Sequence, residues 1–505
     1  MNPSRRAFLT QSIAAGAAAV VAPAFGKDAS GAERDAGASA LETAEPTIAP
    51  MASRPNILYI IMEDTGPQFA CYGEPLVRTP NLDKLAAEGV RFANTFCTAP
   101  VCSPSRSALM TGCYQTFIGS HQHRTWPWNQ KPLPAPVRHV CDWFRAAGYF
   151  TCNSGKIDLN FVIDQPRAGN PFDGWNWAER AAGQPFFAHM TIIETHKGKG
   201  WKVARELPKS ELVNPDELRL PPYYPDHPIA RDEYANYLDA IHLSDGYVGQ
   251  LLARLEKEGL AQNTIVVISS DHGPLFRGKQ FLYDNGLRIP LIVRFPDGRR
   301  AGTVDDRLVS GVDLAPTLLG FAGIEPPVGA MHGRDLFAPG APRPTHIFAA
   351  RDRMDTSIDR MRAVRTDRFK YIRNHLPAVP YMQHNAYKEA NYPTWNLVKE
   401  LHKQGKLSPE ADLFAADTKP IEELYDLAAD PHEVRNLAAD TAHASTLKEL
   451  RGLVDGWIKE TDRGTAYEDP VDIYRGYNGH LPEEAGKGKP GGARAVNRSP
   501  GARRA

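Results

Sequence analysis

Four stretches of the chain share one pattern: an apolar run of strand length that ends abruptly on charged or polar groups. Asn56-Ile57-Leu58-Tyr59-Ile60-Ile61-Met62 is followed at once by Glu63 and Asp64. Tyr149 to Asn153 precedes Lys156, Phe186 to Ile193 precedes His196, and Thr264 to Ser270 precedes Asp271. Hydrophobicity that is continuous, not alternating, is what a parallel strand buried on both faces requires. Between these runs the period lengthens to that of helices. Thr79-Pro80-Asn81 predicts a helix N-terminus, Leu82, Leu85 and Ala86 share a face behind it, and Gly89 marks the stop. Tyr234 to Glu258 is the clearest amphipathic stretch, with Leu238, Ile241, Val248, Leu251, Leu252 and Leu255 on a helical period and Gly259 at its end. Strands alternating with helices predict an α/β fold, an open and mostly parallel sheet with helices on both faces. Ligands of such sheets bind beyond the carboxyl ends of the strands, which is where the polar residues fall.

After about Pro342 the texture changes. Short separate strands are predicted at His346 to Ala349, Met361 to Arg365 and Phe369 to Ile372, with an amphipathic helix near Ala444 to Lys459. This gives a main domain over 54–341 and a smaller C-terminal α+β subdomain with an antiparallel sheet over 342–482. Residues 483–505, with repeated Gly, Pro, Lys and Arg, predict a disordered tail, and residues 27–53, rich in Ala, Gly, Ser and Glu, a flexible linker. Residues 1–26 hold Ser4-Arg5-Arg6-Ala7-Phe8-Leu9 and then apolar Ile13 to Ala24, which resembles a twin-arginine export signal with cleavage near Ala22-Pro23-Ala24. That apolar run is too short and too rich in alanine and glycine for a stable membrane span. The expected location is therefore periplasmic or extracellular.

Charge adds a restriction. Lys plus Arg equals Asp plus Glu at 59 each, so no net field recruits nucleic acid or a membrane surface, and any anion recognition must be local. Six cysteines (Cys71, Cys97, Cys102, Cys113, Cys141 and Cys152) lack the paired spacing of a zinc site.

Local chemistry concentrates in two places. In Thr98 to Cys113, Pro104 fits the first turn of a helix that Ser107 to Met110 continue and Gly112 ends. Cys102 then stands at a helix N-terminus, where free N–H groups and the dipole favour an anion, and Arg106 returns to its face one turn later. A lone cysteine there also reads as a buried thiol before an ordinary helix. Glu63-Asp64 and Asp271-His272, both at strand ends, form a hard divalent-cation site if their strands are neighbours, and are plain loop or cap residues if they are not.

Cys102-Ser103-Pro104-Ser105-Arg106 followed by Thr111-Gly112 resembles the signature of the type I, formylglycine-dependent sulfatases of the alkaline phosphatase superfamily, and the resemblance runs from Asn56 to about Ala439. It implies an alkaline-phosphatase-like fold and hydrolysis of sulfate esters. A formylglycine-generating maturation enzyme would oxidise Cys102, in the cytoplasm because twin-arginine systems carry folded proteins, and the aldehyde hydrate would supply the attacking hydroxyl. The resemblance also implies Ca²⁺, with Mg²⁺ as the other hard cation, held by Glu63, Asp64, residue 102, Asp271 and His272. Arg106 would steady the hydrate, Lys156 and Lys279 bind the substrate, and His196, in Glu194-Thr195-His196, protonate the leaving oxygen. Glu423 to Leu427 with Asp430-Pro431, Glu433 and Asn436-Leu437 is similar to the closing motif of sulfatase C-terminal domains.

The chain departs from the pattern at three points. Glu63-Asp64 replaces the usual Asp-Asp, and His272 offers a softer donor than Ca²⁺ prefers. Gly155-Lys156-Ile157-Asp158 puts a carboxylate where Gly-Lys-x-His would supply the base for sulfate elimination, so that role falls to Asp158 or to His123, in Gly119-Ser120-His121-Gln122-His123-Arg124. Arg351 and Arg353, with the aromatic-rich stretch Tyr381 to Trp395, suit an anionic sugar if they face the pocket, which makes a sulfated saccharide the expected substrate. The alternatives are a phosphonate or phosphate ester hydrolase using the same aldehyde and metal, and a non-catalytic saccharide-binding relative.

Overall fold

The apolar run Asn56–Met62 forms a strand, β1, in which every residue is buried. A computed structural model describes the chain at residues 47–48, 54–125, 130–163, 170–274 and 276–462. The expected signal segment, most of the linker and the tail lie outside the described residues. The further strands of the large sheet are β2 (Val90–Phe96), β3 (Phe150–Ser154), β4 (Phe186–Ile192), β5 (Thr264–Ser270), β6 (Arg288–Arg294) and β7 (Thr303–Ser310). Their spatial order is β3-β4-β1-β5-β6-β2-β7. Neighbours run parallel except at β6, which is antiparallel to both β5 and β2. The result is a mostly parallel sheet.

Helices cover both faces. On one side Ile57, Tyr59 and Ile61 of β1 pack with Leu109 and Met110 of α2 (Cys102–Thr111), Trp143 and Phe144 of α3 (Val140–Ala146) and Leu318 of a helix at Leu314–Phe321. On the other, Leu58, Ile60 and Met62 pack with Leu82 and Leu85 of α1 (Pro80–Glu88) and with Leu238, Ile241 and Val248 of α4 (Pro228–Lys257). Alternate side chains of a strand point to opposite faces, so a strand with apolar partners on both sides must be apolar throughout. The uninterrupted run has that cause.

α1 starts where the sequence places it, but its cap is not local. Thr79 is the N-cap residue of α1, but its side chain does not cap the helix; it donates to Asp83 at 3.0 Å and accepts from the Ala70 N–H. The Asn81 and Leu82 N–H groups are taken instead by the Asp245 carboxylate of α4, at 3.1 and 2.8 Å. A helix end buried against another helix can borrow its cap from that neighbour.

The second sheet is antiparallel, in the order β8 (His346–Arg351), β9 (Met361–Thr366), β10 (Phe369–Asn374) and β11 (Glu422–Asp426). Val364, Tyr371 and Leu424 on one face receive Leu450 and Val454 of the helix Ala444–Thr461. Ile347, Ala349 and Met361 share a core with Phe96, Phe276 and Phe281, so this sheet is packed directly against the large one. All six cysteines are unpaired, and no helix among the described residues is long and apolar enough to cross a membrane.

Candidate active site

The parallel register of β1 and β5 sets Met62 beside Ser270, so Glu63-Asp64 and Asp271-His272 leave the sheet at the same height. Asp64 has φ 46°, a left-handed conformation that carries its backbone N–H to Asp271 Oδ1 at 2.9 Å. The two pairs expected to converge do so.

The start of α2 is laid across these strand ends. Cys102 Sγ lies 3.3 Å from His272 Nε2 and 3.8 Å from Asp64 Oδ1, and Lys279 Nζ donates to it at 3.6 Å. Gly112, at φ 68°, ends the helix and returns its N–H to the Ala108 carbonyl at 2.9 Å, a turn that favours glycine. One turn into α2, Arg106 reaches under the site. Its Nε donates to Asp271 Oδ2 at 3.1 Å and its NH2 pairs with Glu63 Oε2, both with fully buried partners. Lys156, beyond β3, pairs with the other Glu63 oxygen and with Asp158 Oδ2 at 3.0 Å. Lys279 pairs with Asp64 Oδ2 at 2.7 Å. Burial alone would hold the Cys102 thiol neutral, but Lys156 and Lys279 override it and keep it well below its ordinary range. A group that draws negative charge onto residue 102 through two ammonium ions is equally a cradle for an anionic ester.

His196, just beyond β4, stands at the rim. Its Nδ1 donates to the Lys197 carbonyl at 3.1 Å, leaving Nε2 toward the site, 3.9 Å from Asp64 Oδ2. Burial pulls its pKa below the ordinary imidazole value, against the pull of Asp64. Its ring is 6.0 Å from that of Tyr387, over which Lys279 Nζ sits at 5.3 Å.

The donors fit a divalent cation. Glu63, Asp64, Cys102 and His196 have one ligand atom each within 4.8 Å of one another, and so do Asp64, Cys102, Asp271 and His272. Carboxylate oxygens from two strand ends form the hard part of this set and suit Ca²⁺ or Mg²⁺, while the imidazole nitrogens are the softer members. His272 is fixed for ligation at Nε2, because its Nδ1 donates to the Gly273 carbonyl at 2.8 Å.

His123 and Asp158 reach the Cys102 side of the site; a His123 ring nitrogen, an Asp158 oxygen and Cys102 Sγ lie within 4.8 Å of one another. Arg351 and Arg353 do not come to it as open cations. Arg351 is buried and pairs with Asp359 at 2.6 Å, and Arg353 donates to the His123, Arg124 and Asp355 carbonyls at 3.1, 2.7 and 2.8 Å. Of the aromatic stretch, Tyr381, Tyr392 and Trp395 are core and Tyr387 alone of these four is half-buried at the rim. Arg124, Asn160, Asp355 and Lys388 also stand around the site, and no sequence pattern points to them. Lys388 pins the loop of Lys279 by donating to the Lys279 carbonyl at 2.8 Å.

The arrangement agrees with what the chain is similar to. Residues 55–178 and 171–324 match the family model described as Sulfatase, and residues 271–404 match the one described as N-sulphoglucosamine sulphohydrolase, C-terminal. Over 450 residues the chain is 35% identical to an ulvan-active sulfatase of Formosa agariphila, covering 81% of this chain and 75% of that one. It is 26% identical over 465 residues to the human N-sulphoglucosamine sulphohydrolase, covering 80% and 90%. A solved structure in complex with its substrate D-glucosamine-2-N,6-O-disulfate superposes with a TM-score of 0.57 at 22% identity, over 81% of this chain and 100% of that one. A phosphonate monoester hydrolase from Silicibacter pomeroyi does so with a TM-score of 0.58 at 20% identity, over 82% and 96%. Likeness at these identities establishes a shared fold.

Proposed function

Because the chain belongs to the sulfatase family of the alkaline phosphatase superfamily and is a sulfuric ester hydrolase, we propose that its substrate is a sulfated saccharide, cleaved at a formylglycine made from Cys102 beside a bound Ca²⁺ or Mg²⁺. The observation that carries the reading is the meeting, around one residue at a helix N-terminus, of Arg106, Lys156 and Lys279 with Glu63, Asp64 and Asp271. Oxidation of Cys102 to an aldehyde supplies a hydrated carbon whose hydroxyl can attack sulfur. When bound, the cation supplies Lewis acidity that makes such a hydroxyl a nucleophile near neutral pH.

The chain's own residues do the rest. Lys156 and Lys279 neutralise the sulfate ester and orient it over residue 102. Arg106 holds Glu63 and Asp271 in place from beneath, so that carboxylates which would otherwise repel one another stay converged. His196 presents Nε2 to the departing oxygen, and a proton loosened by burial passes readily to an alkoxide. The saccharide class is supported by the similarity to an ulvan-active sulfatase and to N-sulphoglucosamine sulphohydrolase, and by the Tyr387 ring at the rim. Export by the twin-arginine route, supported by Ser4-Arg5-Arg6-Ala7-Phe8-Leu9, would place the enzyme where algal or matrix polysaccharide is met.

The test is sulfate release by ion chromatography from ulvan and glycosaminoglycan oligosaccharides, alongside paired aryl sulfate and aryl phosphate diesters, with mass analysis of the tryptic peptide Phe92 to Arg106. Release of sulfate from oligosaccharides by protein carrying an aldehyde at 102 is expected. Faster cleavage of the phosphodiester than of any sulfate ester would move the enzyme to the phosphonate hydrolase branch.

A further inference from the structure

Two groups reach residue 102 without belonging to the lysine cradle or to the carboxylate set, and the fold holds them in opposite ways. Asp158 is locked as an anion. Arg124 grips both of its oxygens, through Nε at 2.5 Å and NH2 at 2.7 Å, and Lys156 Nζ adds a contact at 3.0 Å. Burial opposes its charge, yet Lys156 and Arg124 together hold its carboxyl well below the usual carboxylate range. A carboxylate shared between two cations is a poor proton acceptor.

His123 faces a carboxylate instead. It is buried, and its Nδ1 faces Asp355 Oδ1 at 3.4 Å. The backbone around it is fixed from two sides. From the chain following β8, His123 N–H donates to the Arg353 carbonyl at 3.0 Å and Asp355 N–H donates to the His123 carbonyl at 2.8 Å. From the chain following β3, Asn160 donates to the Gln122 carbonyl at 2.7 Å and accepts the Thr125 N–H at 2.8 Å. Loops from both sheets thus converge to hold one imidazole beside residue 102.

We propose that His123, oriented by Asp355, is the catalytic base that takes a proton from residue 102 when sulfate departs, and that Asp158 is an ion-pair clamp on Lys156 and Arg124. The proposal rests on the formylglycine reading given above. In the step, neutral His123 removes the proton of the hydroxyl that remains on the carbon of residue 102. The electron pair left on that oxygen closes the C=O bond, the bond from the same carbon to the sulfate oxygen breaks, and sulfate leaves with the two electrons of that broken bond. The imidazolium, stabilised by Asp355, then returns its proton to water. Asp355 touches no reacting atom and is a positioning residue.

The experiment is intact-protein mass spectrometry of the full chain, matured in cells, after mixing with a sulfated substrate. Loss of the base should trap the enzyme one SO₃ group heavier than its aldehyde hydrate. His123→Ala and the bulkier His123→Gln, each checked for a wild-type melting temperature, are expected to accumulate that adduct and to slow its decay by about 10²-fold or more. Asp355→Asn should accumulate it partly, with kcat reduced and KM unchanged. Asp158→Asn should show no adduct and a raised KM, because it loosens Lys156. An adduct on Asp158→Asn but not on either His123 variant, or wild-type turnover by His123→Gln, overturns the proposal. Aldehyde-bearing wild type that turns over with an inert His123 leaves the formylglycine reading standing, whereas an active enzyme whose Phe92 to Arg106 peptide keeps its thiol overturns both.

Discussion

A histidine that protonates a departing alkoxide matters in proportion to how badly that alkoxide needs the proton. His196 presents Nε2 to the site while its Nδ1–H is committed to the Lys197 carbonyl. His196→Ala should therefore slow cleavage of a saccharide sulfate by about 10²–10⁴-fold while slowing 4-nitrophenyl sulfate far less, because nitrophenoxide leaves without help. Steady-state kinetics on the two substrates decide it, and equal losses on both would assign His196 to binding instead. At this scale the sequence was a good guide to the residue types and a poor one to their partners. Glu63, Asp64, Asp271 and His272 were legible because each directly follows an apolar strand, and Cys102 and Arg106 because a helix start imposes its own spacing. Arg351 and Arg353 read as open cations only because nothing local says where a guanidinium points; Asp359 and three carbonyls claim them. Arg124, Asn160 and Asp355 follow no spacing rule, since they are brought to His123 and Asp158 by different loops.

Helix starts make the same distinction among elements. α3 begins on His139, whose Nδ1 accepts the Cys141 N–H at 3.1 Å inside a fully buried setting beside Phe161 and Phe172. Burial, and to a smaller degree Arg145, pushes its pKa down to about 3, and protonation at Nδ1 would destroy the cap. In the unfolded chain the same ring titrates near 6.5. Between those values the unfolded state binds a proton that the folded state refuses, so stability falls as pH falls, by about 1.4 kcal/mol per unit from this group. His139→Asn keeps a capping oxygen and removes the titration. Urea unfolding at pH 6.5 and 5 should show the variant losing about 2 kcal/mol less than the wild type over that interval, and parallel losses would reject the assignment. The same burial explains which elements could be read beforehand. β1, β4 and β5 sit mid-sheet, and apolar residues dominate each of them. β2, β6 and β7 are illegible in the sequence because they carry arginine, aspartate or asparagine within or at the ends of the strand, and β6 is antiparallel, a placement that depends on strand order and not on local pattern.

Across the whole molecule the change of texture near Pro342 reads as a domain boundary, yet the two sheets share one core. Phe276, Phe281 and Tyr283, from the loop that carries Lys279, pack against Tyr381, Trp395 and Phe414 from beyond β10. The Lys388 ammonium is buried among the Phe281, Tyr392 and Trp395 rings, and burial with Lys279 nearby keeps its pKa well below the ordinary lysine value. Its hydrogen bonds go to the Phe276 and Lys279 carbonyls, so the second region fixes the backbone that carries the Lys279 side chain. Arg353 does the same for the His123 loop on the opposite side of the site. Removing residues 342 onward would uncover a contiguous aromatic surface and release both loops, and exposed apolar patches of that kind drive association. A protein of residues 54–341 should therefore be recovered only as aggregate or as a dye-binding, non-cooperative state. It should also lack the rise in melting temperature expected when Ca²⁺ or Mg²⁺ is added to the full chain, where saturation at a hundred times Kd would add about 2.7 kcal/mol. Thermal scans of both proteins, chelator-treated and then titrated with each cation, make the comparison. A soluble 54–341 fragment that melts cooperatively and responds to the cation would show that the large sheet alone assembles the carboxylates, and that the second sheet serves only the substrate side of the site.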